Sequence, residues 1–509
     1  MPGIPLCPTI NLINRLNMII RTKIVPLILL IPLIPVLSSA QSLKKADKTT
    51  LAGLETHIHY LADDKLEGRR AGSAGEKLAS DYISIEFAKA GLAPRGDKNG
   101  WLQAFEIDEG KQVSADSYFS VNGKTIQPGK EYFFLAFSAS GTVIGSPAIA
   151  LQESGVPWFV DLKDLLEAGQ NNPHFDLGAA IYTRIKESAK KGATAVILYN
   201  TSKIGENLRF DPHDKAESAP IPVLFISKEA KKKYLRDESA SLDIRILVGF
   251  TEKKRTAHNV LGYLDNGARN TVIIGAHYDH LGFGEDSNSR YRGQERQIHN
   301  GADDNASGVA GMIELAKMLK SSRFRNNNYL FIAFSGTTER SDSCGGARND
   351  APTKSGTGVK VPGLYGSRYF VDHSTIDLRN TNYMINLDMI GRLSDSTHAL
   401  TIGGYGSSPA WGEACNSAGD RKYFTMNYDS SGSGPNDQRS FYRKDIPVLF
   451  FFTGIHGDYH EPKDDYDKIN YTGELQVLKY IYGIVGNLNS KGRIAFTKTP
   501  EAQEASAPR

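Results

Sequence analysis

Apolar and polar positions follow two periods along this 509-residue chain. Leu51, Leu54, Ile58 and Leu61 recur at three- and four-residue steps, which predicts a helix. The stretch Glu67-Gly68-Arg69-Arg70-Ala71-Gly72-Ser73 then breaks the period and reads as a solvated loop. A second helix is predicted from about Gly75 to Ala90, with Leu78, Tyr82, Ile85 and Phe87 as its apolar positions and Gly91 and Pro94 as its stop. Between about 111 and 250, β-type runs at 195–198 and 221–226 flank a polar loop. One helix, marked by Ile181, Ile185 and Ala189, precedes them and ends at Gly192. From 251 onward, β-type runs at 272–274, 329–334, 383–387 and 448–452 alternate with helical patterns at 306–319 and 363–373. That order predicts an α/β sandwich.

Composition narrows the class without choosing a function. Hydrophobic content of 40% and charged content of 23% are ordinary for a soluble globular chain, and the length calls for two or three domains. A net charge of +3, from 60 basic and 57 acidic residues, with no basic stripe interleaved with aromatics, speaks against a nucleic-acid partner. Three cysteines (Cys7, Cys344, Cys415) cannot make a disulfide framework. Arg21 and Lys23 precede an apolar run from 24 to 37, and Ser38-Ser39-Ala40 follows it. This is the layout of a secretory signal peptide cleaved after Ala40, too short and too proline-rich for a membrane span. The expected location is secreted or periplasmic. The tail from Thr497 is polar and reads as disordered.

The chemistry gathers at predicted strand ends. The 272–274 run leads into His277, with Asp279 two residues on, and Asp303-Asp304 stands just before the 306–319 helix. The 383–387 strand ends at Asp388, and the 448–452 strand leads to a loop carrying His456, Asp458 and His460. In open α/β sheets ligands collect at the carboxyl ends of strands, and neutral imidazole with carboxylate is a zinc donor set. A ligating histidine commonly donates its other ring N–H to an orienting group, and His277-x-Asp279 has that spacing.

The runs GAHYDH, GADDNASG and NLDMIG together resemble the co-catalytic zinc peptidases, the superfamily of bacterial leucyl aminopeptidase, aminopeptidase Y and glutamate carboxypeptidase II. The resemblance covers most of residues 50–490. It implies a mixed central sheet flanked by helices and two zinc ions. His277 and Asp388 would bind one ion, Asp303 would bridge both, and His460 would bind the second, with His456 as rival and Asp464 completing the His460 motif. Asp279 would orient His277, and the Asp303–Asp304 peptide bond would be cis. The pair KKGATAVILYN and IPVLFIS resembles a β-rich protease-associated domain, placed at 111–250 between an N-terminal helical part (41–110) and the catalytic part (251–490). It is read as a lid or as a folded spacer. Asp437 and Phe441, in GSGPNDQRSF, stand where the family has a substrate-side loop.

One departure bears on activity. The family carries Glu-Glu after its Phe-Ser-Gly strand end, the first as general base and the second as a zinc ligand. Here Thr337-Thr338 follow Phe334-Ser335-Gly336, and the pattern resumes only at Gly363-Leu364-Tyr365. Three readings stay open: an artefactual insert at 337–362, Glu339 as substitute base (with Asp342 and Asp350 behind it), or an inactive homologue. The implied function is removal of N-terminal residues from peptides by two-metal hydrolysis. The alternatives are a same-fold carboxypeptidase, a glutaminyl cyclase or a non-catalytic binding protein.

Overall fold

The computed structural model describes residues 44–170, 172, 175–214, 216–286, 288–338, 363–419 and 421–499. The expected signal segment, Glu339, Asp342, Asp350, most of the 337–362 insert and the end of the tail lie outside these residues.

Nine strands form the central sheet: β1 (Ala93–Pro94), β2 (Leu102–Val113), β3 (Phe250–Leu264), β4 (Asn270–His277), β5 (Asn327–Phe334), β6 (Thr381–Leu387), β7 (Ala399–Gly403), β8 (Thr425–Tyr428) and β9 (Val448–Phe452). The order is β1-β3-β5-β4-β6-β9-β7-β8, with β2 paired to β3 as well. β4 is parallel to both neighbours and β6 to β9, whereas β3 against β5 and β7 against β9 are antiparallel, so the sheet is mixed. The register pairs His277 with Phe334 and Leu387 with Phe451. Four parallel strands therefore end level along one edge.

Every residue of β5 and β6 is buried, as strands covered on both faces require, and this is why 329–334 and 383–385 read as apolar runs, although β6 also buries Asn386. Successive side chains point to opposite faces. Val272 and Ile274 pack under helices α1 (Lys45–Leu61), α2 (Ala74–Lys89), α3 (Gly308–Ser321) and α5 (Tyr471–Leu488). Ile273 faces the other layer, where α4 (Tyr365–Asp372) brings Phe370 against Phe441 and Met384.

In α2 the apolar face matches the expected one at Phe87 and departs from it elsewhere. Leu78 and Ile85 are exposed, at 43% and 53%, and Ala79, Ile83 and Phe87 enter the core. Both stripes satisfy helical spacing. The buried one also carries Glu76, whose carboxylate accepts from His258 N–H at 2.9 Å and the Tyr278 hydroxyl at 2.8 Å, which fixes the rotation of the helix.

Residues between β2 and β3 form two further four-stranded sheets. One holds Tyr118–Val121, Lys124–Thr125, Gly141–Gly145 and Ile244–Val248. The other holds Tyr132–Phe134, Trp158–Asp161, Val196–Tyr199 and Val223–Ile226. Their apolar clusters, around Phe119 and Ile246 and around Ile181 and Leu198, share no residue with the clusters of the central sheet. The long β2–β3 ribbon carries them, with Val113 opposite Phe250 at its far end. No helix among the described residues is long and apolar enough to cross a membrane.

Candidate metal centre

Strand β4 delivers His277 to the level edge, and β6 delivers Asp388 immediately after Leu387. The third group comes from the irregular turn Ala302–Ser307 that opens α3. Asn305 ties this turn to the end of β6: its side-chain amide donates to Leu387 O at 2.9 Å and its carbonyl oxygen accepts from Met389 N–H at 3.1 Å. Asp304 is thereby held opposite Asp388. His277 Nε2 lies 3.3 Å from Asp304 Oδ1 and 3.3 Å from Asp388 Oδ1, and the three residues are buried. The other oxygen of Asp304 lies 3.3 Å from His460 Nε2, on the loop after β9. Asp304 therefore stands between the two imidazoles.

The tautomers follow from the outer ring nitrogens. His277 Nδ1 lies 3.1 Å from the main-chain carbonyl of Asp279, and His460 Nδ1 lies 2.9 Å from that of Asn288. A carbonyl only accepts, so each Nδ1 carries the hydrogen and each neutral ring turns a bare Nε2 lone pair toward carboxylate oxygens. Lone pairs facing carboxylates require a cation between them or a protonated ring. Burial lowers the His277 pKa, but Asp388, Asp279 and Asp304 outweigh it and hold it well above the usual imidazole range. Burial likewise raises Asp304, yet His280, His277 and His460 hold it well below the carboxylate range. Burial pushes Asp388 up. Two carboxylates and an imidazole at these distances fit a divalent zinc-like ion.

Asp303 occupies a different place from the bridging one expected of it. Its Oδ1 accepts from Gly391 N–H at 2.7 Å and the Ser307 hydroxyl at 3.1 Å, and its Oδ2 faces His456 Nε2 at 3.2 Å. It braces the turn, and Asp304 takes the place between the histidines. The cis bond is likewise one step on, between Asp304 and Asn305. Asp464 lies beneath, its carboxylate accepting from the main-chain N–H groups of Asp303 and Asp304 at 3.0 Å; burial and Asp303 push its pKa up to about 7. His456 accepts from Asp458 N–H at Nδ1, which puts its ring hydrogen on Nε2, the opposite tautomer to His277 and His460.

Asp279 also acts differently from the expected side-chain orienter. Its carbonyl holds His277, and its carboxylate, 3.6 Å from Nδ1, is beyond hydrogen-bond reach. That carboxylate accepts from Thr337 N–H at 3.2 Å and from Thr338 N–H and Oγ1 at 3.1 and 2.7 Å. The Thr337 hydroxyl donates to Asp437 at 3.0 Å, and burial raises Asp437 to about 6. Phe441 is fully buried against Phe334 and Phe370, so neither Asp437 nor Phe441 lines an open pocket.

Several groups around the cluster were not read as functional. Arg69 is buried, not solvated. It donates to the carbonyls of Tyr278, Asn300 and Gly301 at 2.7, 2.6 and 3.0 Å and to that of Leu61, and burial lowers its pKa to about 10. Arg70 forks onto Asp286 at 2.8 and 2.6 Å and reaches Glu109 on the β2–β3 ribbon at 3.1 Å. Tyr459 stacks on His460 with ring centroids 3.9 Å apart. Three of the main-chain carbonyls that receive Arg69 come from segments distant in sequence, so its charged neighbours at 67–70 gave no sign of its burial.

Residues 259–485 match the sequence pattern described as Peptidase family M28. The chain carries an M28 peptidase domain. That domain begins in β3 and ends in α5, and it includes all four clustered residues. Aminopeptidase YwaD of Bacillus subtilis (strain 168) is 26% identical over 302 residues, which is 57% of this chain and 56% of that protein. The probable leucine aminopeptidase 2 of Aspergillus oryzae is 26% identical over 285 residues, covering 53% of this chain and 48% of its own length. The chain thus spans about half the length of these curated relatives. Among solved structures, the aminopeptidase from Aneurinibacillus sp. strain AM-1 superposes with a TM-score of 0.46 at 21% identity, over 89% of this chain and 96% of its own. BSAP, a zinc aminopeptidase from Bacillus subtilis, gives 0.45 at 20% identity over 90% and 96%.

Proposed function

We propose that the chain is a zinc-dependent exopeptidase that removes N-terminal residues from peptides. The observation carrying this reading is the buried His277–Asp304–Asp388 cluster, within an M28 domain whose similar proteins include named aminopeptidases. His277, Asp304 and Asp388 would hold the ion, and His460 would face it across Asp304. A bound zinc supplies an activated water and polarises the scissile carbonyl. The chain's own residues do the positioning. Asp279 O and Asn288 O fix the two imidazole tautomers, Asn305 sets the spacing of Asp304 from Asp388, and Asp464 anchors the turn. The β-rich insert is proposed as a protease-associated domain that narrows access, and the first forty residues as a signal for export.

Activity depends on a proton acceptor. Thr337 and Thr338 commit their hydrogen-bonding groups to Asp279 and Asp437 and offer no carboxylate, which supports impaired catalysis or a binding protein that keeps the fold. Glu339 remains the proposed substitute base. Hydrolysis of aminoacyl-anilides by the zinc-loaded protein, with His277→Ala as control, tests the proposal. Turnover lost in the variant supports a working site. Absence of turnover in both marks the chain as inactive, and replacing 337–362 by Glu-Glu-Leu should then restore it.

A further inference from the structure

We infer that Glu76, on helix α2, is a positioning residue for the metal centre: it holds the Tyr278 hydroxyl, and through Tyr278 the orientation of the His277 imidazole. This rests on the zinc reading above and deepens it. Glu76 stands 202 residues before Tyr278 and outside 259–485, the part that matches the M28 pattern.

At its outer nitrogen the His277 ring is aimed by the main-chain carbonyl of Asp279, 3.1 Å away. That carbonyl belongs to the peptide group between Asp279 and His280, so whatever fixes the backbone at 278–280 also fixes the imidazole. β4 ends at His277, and the ladder to β5 goes one step further, with Tyr278 N–H donating to Phe334 O at 2.8 Å. Beyond that step the backbone is gripped by residues 68 and 69. Arg69 donates from Nε to the Tyr278 carbonyl at 2.7 Å, and its own carbonyl accepts from His280 N–H at 3.2 Å. Arg69 thus holds the chain on both sides of Asp279. Gly282 N–H donates to Gly68 O at 3.0 Å, and a Cβ on Gly68 would meet Gly282 O at 2.5 Å, an approach too close for a side chain.

The Tyr278 side chain supplies the remaining point of attachment. Side chains alternate along the strand, so Val272, Ile274, Ala276 and Tyr278 enter the helical layer while His277 turns to the centre. The Tyr278 hydroxyl lies 2.8 Å from Glu76 Oε1 and 2.7 Å from the carbonyl of His258. The same Glu76 oxygen accepts from His258 N–H at 2.9 Å. One buried carboxylate oxygen therefore ties α2 both to β3 and to the residue that follows the ligand. Removing the hydroxyl or its acceptor loosens Tyr278 and leaves every donor to the ion in place.

The test is the zinc affinity of the folded full chain, loaded, dialysed against metal-free buffer and titrated with a chromophoric chelator. The visible spectrum of the cobalt-substituted protein is recorded alongside. The unaltered chain should retain zinc. Tyr278→Phe and Glu76→Ala should each bind it about 10-fold more weakly, the lower end of the 10–100-fold range for groups that orient a ligating histidine, and each should shift the cobalt bands. The double variant should bind no more weakly than either single one, since both break the same link. Glu76→Gln keeps the acceptor oxygen and should bind as the parent does. Val485→Ala, at a buried position of α5, is the control for lost stability alone, with a lower Tm but unaltered affinity and spectrum. If Tyr278→Phe and Glu76→Ala behave like that control, the inference is overturned and the zinc reading stands. Additive losses in the double variant, or Glu76→Gln binding as weakly as Glu76→Ala, would equally overturn the hydrogen-bonded link. No retained zinc in the unaltered chain, or retention indifferent to His277→Ala, sinks the zinc reading itself and the inference with it.

Discussion

Asp303 accepts hydrogen bonds from Gly391 and Ser307, whereas Asp304, one residue on, faces His277 and His460. Replacement by asparagine should therefore separate the two. Asp304→Asn should lose the retained zinc. Asp303→Asn should keep it and lower stability by about 1–3 kcal/mol, the usual cost of disturbing a buried charge-assisted hydrogen bond, measured by urea unfolding with zinc content read alongside. The doubled aspartate was legible in the sequence as a site; which member faces the histidines was not. That choice is made by the turn. Gly301 sits at φ 59, and a Cβ there would meet Asp304 O at 2.1 Å and the His280 ring at 2.5 Å. Asp304 and Asn305 leave helical backbone geometry altogether. Sequence spacing carries no record of such a kink. His277 and Asp388, by contrast, end apolar strands whose runs are plain, and their convergence follows from the parallel register of β4 and β6.

At the scale of elements, the strands were readable because short, mostly apolar runs bounded by polar residues suit strands covered on both faces, while helix faces and loops were less so. α2 offered two apolar stripes, and tertiary contacts chose between them. The 67–73 loop looked solvated from its charges, yet Arg69 is a buried cross-brace joining α1's end to the loops beside His277 and Gly301. Arg69→Met keeps the stem but strands several buried carbonyls. It should cost about 3 kcal/mol or more in unfolding free energy, at 1–3 kcal/mol per orphaned group. In α5, Glu474 is fully buried, and neither carboxylate oxygen has a hydrogen-bond partner among the described residues. Burial, then Asp303 and Glu314, hold its pKa well above the ordinary range. The folded chain thus keeps a proton that the unfolded chain releases above about pH 4.3, and stability falls as pH rises from there toward the folded pKa. Glu474→Gln has no such proton to lose. Its Tm should exceed the parent's by a margin that widens between pH 5 and pH 8; a constant margin would place Glu474 outside this linkage.

At the scale of the molecule, the insert and the M28 domain meet through the β2–β3 ribbon. Glu109 on that ribbon pairs with Arg70, Arg255 and Lys253, and Arg70 continues to Asp286 beside the centre. A cavity of about 890 Å³ lies along the ribbon, lined by Glu109, Lys253, Phe134 and Phe210 among others and by none of the four clustered residues. The ion cluster needs nothing from residues 114–249, and neither do the apolar clusters of the central sheet. Val113 and Phe250 already sit opposite each other at the ribbon's end, so Asn-Gly in place of residues 114–249 closes them with a tight hairpin turn whose twist suits antiparallel strands. The shortened protein should unfold cooperatively and keep the zinc of the parent. If the insert narrows access to the centre, hydrolysis of long peptides should rise relative to that of a small aminoacyl-anilide. Loss of the zinc or of cooperative unfolding would instead mean that the insert completes the core that holds β4 and β6 in register, a role that its separate apolar clusters argue against.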